Sequence, residues 1–209
     1  GDVIFEAKNV TCAGKYEDVS FELKEGEILG FAGLAGAGRT EIAKTIFGCY
    51  HLDKGEFLYK GKPLHIKNPV DAVEQGIGYV SEDRKAEGIL AVRSIRENMG
   101  VANMHRLGKH FHIQRTQEQK EVQDMIDRLR IKCTGMEQRI MNLSGGNQQK
   151  VCFGKWIMSE PKLLILDEPT RGVDVGARAE FYQIIQKLVK RNIGVIVISS
   201  EEDELIGLC

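Results

Sequence analysis

A glycine-rich loop constrains the fold of this chain more than any other feature. It runs from Gly33 to Thr40, follows a segment at 27–31 that is expected to be a short buried strand, and precedes a segment at 40–47 with helical periodicity. Glycines let backbone N–H groups turn inwards as an anion nest, and the following helix points its positive end at the same place. The pattern predicts a strand, a phosphate-binding loop and a helix in that order. The candidate nucleotide-binding residues are Gly33, Leu34, Ala35, Gly36, Ala37, Gly38, Arg39, Thr40 and Glu41.

The loop fits the spacing of the Walker A motif but differs in one residue, because Arg39 stands where the motif has lysine. Arginine supplies positive charge, but its planar fork does not reproduce a compact ammonium between two phosphates. Thr40 keeps the hydroxyl that can bind magnesium. We therefore expect nucleotide binding with impaired hydrolysis, although the loop alone would also fit a glycine-rich turn in another α/β fold.

Two carboxylates, Asp167 and Glu168, follow the apolar run 163–166. The carboxyl edge of a buried strand is where α/β folds bind ligands. Asp167 is the candidate magnesium ligand, and Glu168 is the candidate catalytic residue that orients or polarises an attacking water. An exposed acidic turn would not explain the apolar residues that precede the pair.

A third motif, at 143–149, predicts another helix start that can bind an anion. Ser144 is a good N-cap, and the two glycines after it allow close backbone approach. A plain helix cap is the alternative. The candidate residues are Leu143, Ser144, Gly145, Gly146, Asn147 and Gln148.

The remaining pattern predicts an α/β fold with a mainly parallel core sheet, an antiparallel β subdomain near the N-terminus and a helical subdomain at about 92–145. Strands are expected at 3–5, 19–23 and in a hairpin at 55–66, and an amphipathic helix at 117–129. After 143, helices at 148–158 and 177–191 alternate with apolar strands at 163–166 and 194–198.

Composition excludes few classes of function. A net charge of -1 over 209 residues gives no general attraction to nucleic acid. The apolar runs are shorter than the roughly 18 residues that suggest a membrane span. Five cysteines without CxxC spacing indicate reduced thiols in a cytosolic protein.

The motifs together resemble the ABC transporter ATPase family over nearly the whole chain. Walker A, the signature LSGGNQQ, Walker B ending at Asp167 within LDEPT, and a D-loop with Asp174 occur in the family's order. The resemblance implies ATP and Mg²⁺ as cofactors, and a head-to-tail pair of ATPase domains. The signature residues would then contact the nucleotide held by the partner domain.

Three positions depart from the family pattern: Arg39, Glu82 at the Q-loop glutamine, and Ser200 at the switch histidine. Glu82 is retained as a candidate metal ligand. The segments GAGRTE, YVSEDRK and ISSE resemble the second ATPase half of bacterial monosaccharide importers. Residues 1–209 would then be one domain, a C-terminal half without its last strands, whose own site is degenerate.

This resemblance implies several partners: the N-terminal ATPase half, an integral membrane permease and, indirectly, a periplasmic or extracellular sugar-binding protein, with no nucleic acid. The expected place is the cytoplasmic face of the cell membrane. The segment 82–98 would meet the permease, although its charges also fit a solvated face. Tyr16 is expected to be a packing or surface residue and not an adenine-stacking one.

Two other functions remain open from the sequence. A regulatory nucleotide-binding half without hydrolysis is favoured by Arg39 and Ser200, whereas Glu168 opposes it. A soluble ABC ATPase acting in DNA repair or on the ribosome is opposed by the near-neutral charge.

Overall fold

The computed structural model describes residues 1–34, 36–109, 112–173 and 175–209. The chain divides into two compact units. The first contains Gly1–Tyr79, Pro161–Pro169 and Phe181–Cys209, and the second contains Val80–Glu160 and Thr170–Glu180.

The first unit contains an antiparallel sheet built from four strands in the order β2-β1-β4-β5. Its core is aromatic, since Phe5 lies between Phe21 and Phe57 with ring centroids 6.0 and 5.8 Å away. Burying such rings stabilises each contact beyond its apolar area. The strands are β1 (Val3–Cys12), β2 (Tyr16–Lys24), β4 (Lys54–Tyr59) and β5 (Lys62–Pro63).

A second sheet carries the loops of interest. Its strands are β3 (Ile28–Phe31), β6 (Ile77–Val80), β9 (Leu163–Asp167) and β10 (Gly194–Ile198). Their order is β3-β10-β9-β6, and β10 runs parallel to both β3 and β9. The parallel pairing brings the carboxyl ends of β3, β9 and β10 to one edge, because Ile198 pairs with both Phe31 and Asp167.

Helices α1 (Arg39–Ile46) and α8 (Glu202–Leu208) contact β9 and β3 of this sheet. The fully buried strands β9 and β10 match the predicted apolar runs. Only Ile28 of β3 is buried, so the expectation of a buried strand at 27–31 is wrong for its other residues. The physical reason is position, since β3 is the edge strand of the sheet.

The second unit is mainly helical. Gly154 of α6 lies against Met99, Met125 and Leu129, so that an added Cβ would come within 2.7 Å of the Met99 methyl carbon. Three helices therefore pack closely around this point. The helices of the chain not yet given are α2 (Pro69–Glu74), α3 (Ile95–Gly100), α4 (Met104–Leu107), α5 (Arg115–Arg128), α6 (Gly145–Ile157) and α7 (Val175–Val189), with a π-helical turn at Arg84–Gly88, 3₁₀ turns at Val101–Asn103 and Ile140–Asn142, and a short antiparallel pair β7 (Gly108–Lys109) and β8 (His112–Ile113).

The predicted mixture of a parallel sheet, an antiparallel sheet and helices is confirmed. Helix α6 begins three residues before the predicted 148, and α5 begins two residues before the predicted 117. Tyr16 is buried, as a packing residue. Cys12 and Cys152 are buried thiols, and none of the five cysteines forms a disulfide. Among the described residues, no helix has the length and apolar character needed to cross a membrane.

Candidate functional site

The phosphate loop lies between β3 and α1, as the sequence predicts. Gly36 and Gly38 have φ of 82° and 85°, a left-handed conformation that glycine adopts without a Cβ penalty. Gly38 is the N-cap of α1, and its carbonyl accepts the Ile42 amide. The loop therefore ends with helix N–H groups directed at its own concavity. Ala35 lies outside the described residues, whereas Glu41 lies in the first turn of α1, half-buried.

The Arg39 guanidinium is bonded to two main-chain carbonyls. Nη1 donates to the oxygen of Ser199 at 2.7 Å, and Nη2 donates to the oxygen of Leu34 at 3.2 Å. The side chain passes under Gly33, where an added Cβ would lie 3.5 Å from the Arg39 Cδ. The arginine thus ties the loop to the segment that follows β10.

Asp167 ends β9 with its carboxylate fully buried. Oδ2 accepts the Tyr79 hydroxyl at 2.9 Å, and Oδ1 lies 3.3 Å from the Thr40 hydroxyl. Burial raises the pKa of this carboxyl above its ordinary value, and the two hydroxyls oppose that rise. Tyr79 was not singled out in the sequence, because a tyrosine in an apolar strand has the same pattern as a core residue.

Thr40 and Asp167 fit a magnesium ion in their chemistry. Mg²⁺ prefers oxygen ligands and is held in nucleotide sites by one or two protein oxygens together with water and phosphates. The described residues contain no group of three or more His, Cys, Asp or Glu side chains placed to hold a metal ion. A metal here would therefore depend on the nucleotide for its remaining ligands.

Glu168 follows Asp167 in a left-handed conformation, with φ 48°. Its own N–H donates to the carbonyl of Ile198, and its Oε1 accepts the Ser200 N–H at 2.8 Å. A backbone amide of the switch position therefore holds the candidate catalytic carboxylate. The sequence indicated both residues but not this bond.

Glu82, the remaining candidate metal ligand, lies in the second unit and forms an ion pair with Arg171. The π-helical turn begins directly after Asp83, whose carboxylate accepts the amides of Lys85 and Ala86. The carboxylate of Glu82 thus has a cationic partner. Asp174, the D-loop candidate, lies outside the described residues.

The signature residues gather at the start of α6. Ser144 occupies the N-cap position, as the sequence predicts, but its side chain makes no capping hydrogen bond. Its hydroxyl accepts the side-chain amide of Asn147 at 2.8 Å, while the Asn147 Oδ1 accepts the Lys132 N–H. Gln148 donates to the carbonyls of Ile140 and Leu143. The first amides of α6 are therefore left without a cap from Ser144, as an anion site requires.

A cavity of about 350 Å³ opens beside this helix start. It brings basic side chains to the signature from α6 and from the segment that follows α5. Lys150 is buried and forms an ion pair with Glu180. Sequence reasoning missed these basic residues, since nothing in the local pattern separates them from surface charges. The lining residues are Arg130, Lys132, Ser144, Gly146, Asn147, Lys150, Gly176 and Glu180.

Comparisons with known proteins identify the family of the chain. The family model for ABC transporters matches residues 16–171. A ribose import ATP-binding protein, RbsA, of Bacillus cereus is 49% identical over 208 residues, and that of Bacillus subtilis is 48% identical over 208 residues. A xylose import ATP-binding protein, XylG, of Thermoanaerobacter pseudethanolicus is 48% identical over 216 residues. Each match covers all of this chain but only 42–43% of the relative.

Solved structures agree on the fold. A nucleotide-free ATP-binding cassette from an ABC transporter superposes with a TM-score of 0.83 at 20% identity, covering 99% of this chain and 85% of that one. A dimeric bacterial ABC transporter cassette gives a TM-score of 0.82 at 19% identity, covering 96% and 90%. The family model matches about three quarters of the chain, and the relatives agree with it in sequence and in fold. The chain therefore belongs to the ABC transporter family, as an ATP-binding cassette domain.

Proposed function

We propose that this chain is the second ATP-binding half of a bacterial carbohydrate importer. It would bind Mg-ATP in its own loop and contribute its signature to the site of the N-terminal half. The relatives named for ribose and xylose import support the substrate class, and a chain that spans about two fifths of their length is consistent with one of two halves. The observation that carries the proposal is the convergence of the phosphate loop, Thr40 and Asp167 at one sheet edge.

The chemistry of its own site follows from three groups. Amides of the loop and of the α1 start would hold the phosphates, and magnesium bound at Thr40 and Asp167 would neutralise their charge. Glu168, held by the Ser200 amide, keeps its second oxygen for a water molecule. Ser200 has no ring nitrogen to reach the terminal phosphate, and Arg39 is bonded to carbonyls, so turnover should be slow.

The partners follow from the same proposal. The permease would lie in the membrane, this half would work peripherally at its cytoplasmic face, and a periplasmic or extracellular sugar-binding protein would deliver the sugar. The signature helix would meet the nucleotide of the N-terminal half, with the cations beside it adding attraction for phosphate. No nucleic acid is involved.

Nucleotide binding and hydrolysis by the isolated chain test the first part of this proposal. We expect Mg-ATP binding with slow turnover, and Glu168→Gln should lower that turnover about 100-fold or more with binding retained. Asp124→Asn, an exposed carboxylate change on α5, is the matched control. Absence of Mg-ATP binding would refute the assignment of the loop.

The second part needs the N-terminal half. Ser144→Arg should abolish hydrolysis by the combined halves without weakening nucleotide binding to this chain alone. Unchanged hydrolysis would refute the donation of the signature.

A regulatory half that binds nucleotide without hydrolysis is the second candidate. The two carbonyl bonds of Arg39 favour it, because they draw the guanidinium away from phosphate. Binding without any turnover that depends on Glu168 would select this candidate over the first.

A further inference from the structure

One peptide unit lies between Arg39 and Glu168. The carbonyl oxygen of Ser199 accepts the Arg39 Nη1 at 2.7 Å, and the N–H of Ser200 donates to the Glu168 Oε1 at 2.8 Å. These two groups belong to the same planar amide, whose C=O and N–H point in opposite directions. The guanidinium and the carboxylate therefore bind the two ends of a single dipole.

The charges of Arg39 and Glu168 have the signs at which the two hydrogen bonds of this peptide strengthen each other. A cation at the carbonyl oxygen polarises the amide and makes its N–H a better donor, which strengthens its bond to a carboxylate. Hydrogen bonds that involve an ionised partner are stronger than neutral ones. A rotation of this peptide would break both bonds at once.

The other end of the guanidinium binds the phosphate loop. Nη2 donates to the carbonyl of Leu34 at 3.2 Å, and the side chain runs beneath Gly33. Two of the five N–H groups of Arg39 make these two bonds. A lysine ammonium is a compact donor group without the two separated nitrogens that make these bonds.

Other contacts fix Ser199 itself. Its N–H donates to the carbonyl of Phe31 at 3.3 Å, and its hydroxyl donates to the buried Glu204 at 2.6 Å. Neither bond acts on the Ser199 carbonyl. The Ser199 hydroxyl also accepts the Glu201 N–H at 3.1 Å, which restrains the same segment. The bonds to the C=O and the N–H of the peptide between Ser199 and Ser200 themselves come from Arg39 and Glu168.

From this geometry we propose that Arg39 is a positioning residue for Glu168, acting through the peptide unit between Ser199 and Ser200. The arginine that replaces the lysine of the loop then links the main chain of the phosphate loop to the orientation of the catalytic carboxylate. The proposal deepens the proposed function, since it rests on the role of Glu168 in hydrolysis for its consequence. The link itself exists in the nucleotide-free chain and is tested there.

Amide hydrogen exchange of Ser200, measured by NMR without nucleotide, is the test. Ser200 is exposed, so its protection reports its bond to Glu168. We expect Arg39→Met to accelerate its exchange about tenfold, with the amide of Val197 in β10 unchanged. Arg191→Met, an exposed arginine after α7, is the matched control and should change neither amide.

Arg39→Lys is a second variant, for which we expect an intermediate exchange rate of the Ser200 amide. Its ammonium keeps the positive charge but lacks the fork of the guanidinium, so Ser200 should exchange faster than in the wild type and more slowly than in Arg39→Met. If Arg39→Met does not fold, the comparison of Arg39→Lys with the wild type decides. Wild-type exchange of Ser200 in a folded Arg39 variant would overturn the proposal, whether or not the chain binds ATP.

Discussion

Substitution of Asp167 by asparagine should stabilise the folded chain while removing its magnesium site. Asp167 is fully buried, and its two hydrogen-bond donors are the neutral hydroxyls of Tyr79 and Thr40. An asparagine can satisfy both, because its oxygen accepts from Tyr79 and its NH₂ donates to the Thr40 oxygen. The substitution therefore removes a buried charge without leaving a buried polar atom unbonded.

The size of the stabilisation follows from replacing a buried carboxylate by a neutral amide. Burying an ion costs several kcal/mol, and each hydrogen bond to a charged group returns about 1.5–3 kcal/mol. We expect Asp167→Asn to raise the free energy of unfolding by about 1–2 kcal/mol at pH 8. For a chain of this length, each kcal/mol raises Tm by about 2–4 °C.

The effect depends on pH with a definite sign. Burial raises the pKa of Asp167 above its ordinary 3.8, so the folded state binds this proton more tightly than the unfolded state. The contribution of Asp167 to stability is fully present below pH 3.8 and is lost as the pH rises through the raised pKa. The stability difference between Asp167→Asn and the wild type should therefore be small in acid and grow towards pH 8.

Urea unfolding in EDTA between pH 4 and pH 8 is the assay, with Asp124→Asn as the exposed control. In a second series without EDTA, Mg-ATP at 100 times its Kd should add about 2.7 kcal/mol to the free energy of unfolding of the wild type. It should add much less to Asp167→Asn. A variant less stable than the wild type at pH 8, or a difference that does not change with pH, would refute the reasoning.

Two further predictions concern the second unit. Arg96→Leu leaves the buried Glu118 without its cationic partner, which lies 3.0 Å away. Urea unfolding should show a free energy of unfolding lowered by about 3 kcal/mol. The same substitution at the exposed Arg93 should lower it by less than about 1 kcal/mol. Loss of equal stability in both would contradict this burial argument. Burial raises the pKa of Cys152 to about 11, so iodoacetamide at pH 8 should modify the exposed Cys49 well before Cys152. Peptide mass spectrometry measures the two rates of modification. Equal rates would show that Cys152 is accessible.

Much of the fold could be predicted because its signals are local. The four apolar residues at 163–166 and the five at 194–198 match β9 and β10, since a strand buried on both faces needs a continuous apolar run. The amphipathic spacing of Val122, Met125 and Ile126 matches α5 in the same way. The edge position of β3 could not be predicted, because a short apolar run has the same sequence pattern at the centre and at the edge of a sheet.

The candidate site likewise has features that local sequence determines and features that depend on long-range packing. Motif spacing by itself determined the phosphate loop, the Thr40 and Asp167 oxygens, Glu168 and the start of α6, because each depends on backbone conformation within a few residues. Only the tertiary structure decided what Arg39 and Ser200 do. The bond from Arg39 to Ser199 spans 160 residues and exists because β3 and β10 lie side by side, and a strand order is set by long-range packing that no local pattern specifies.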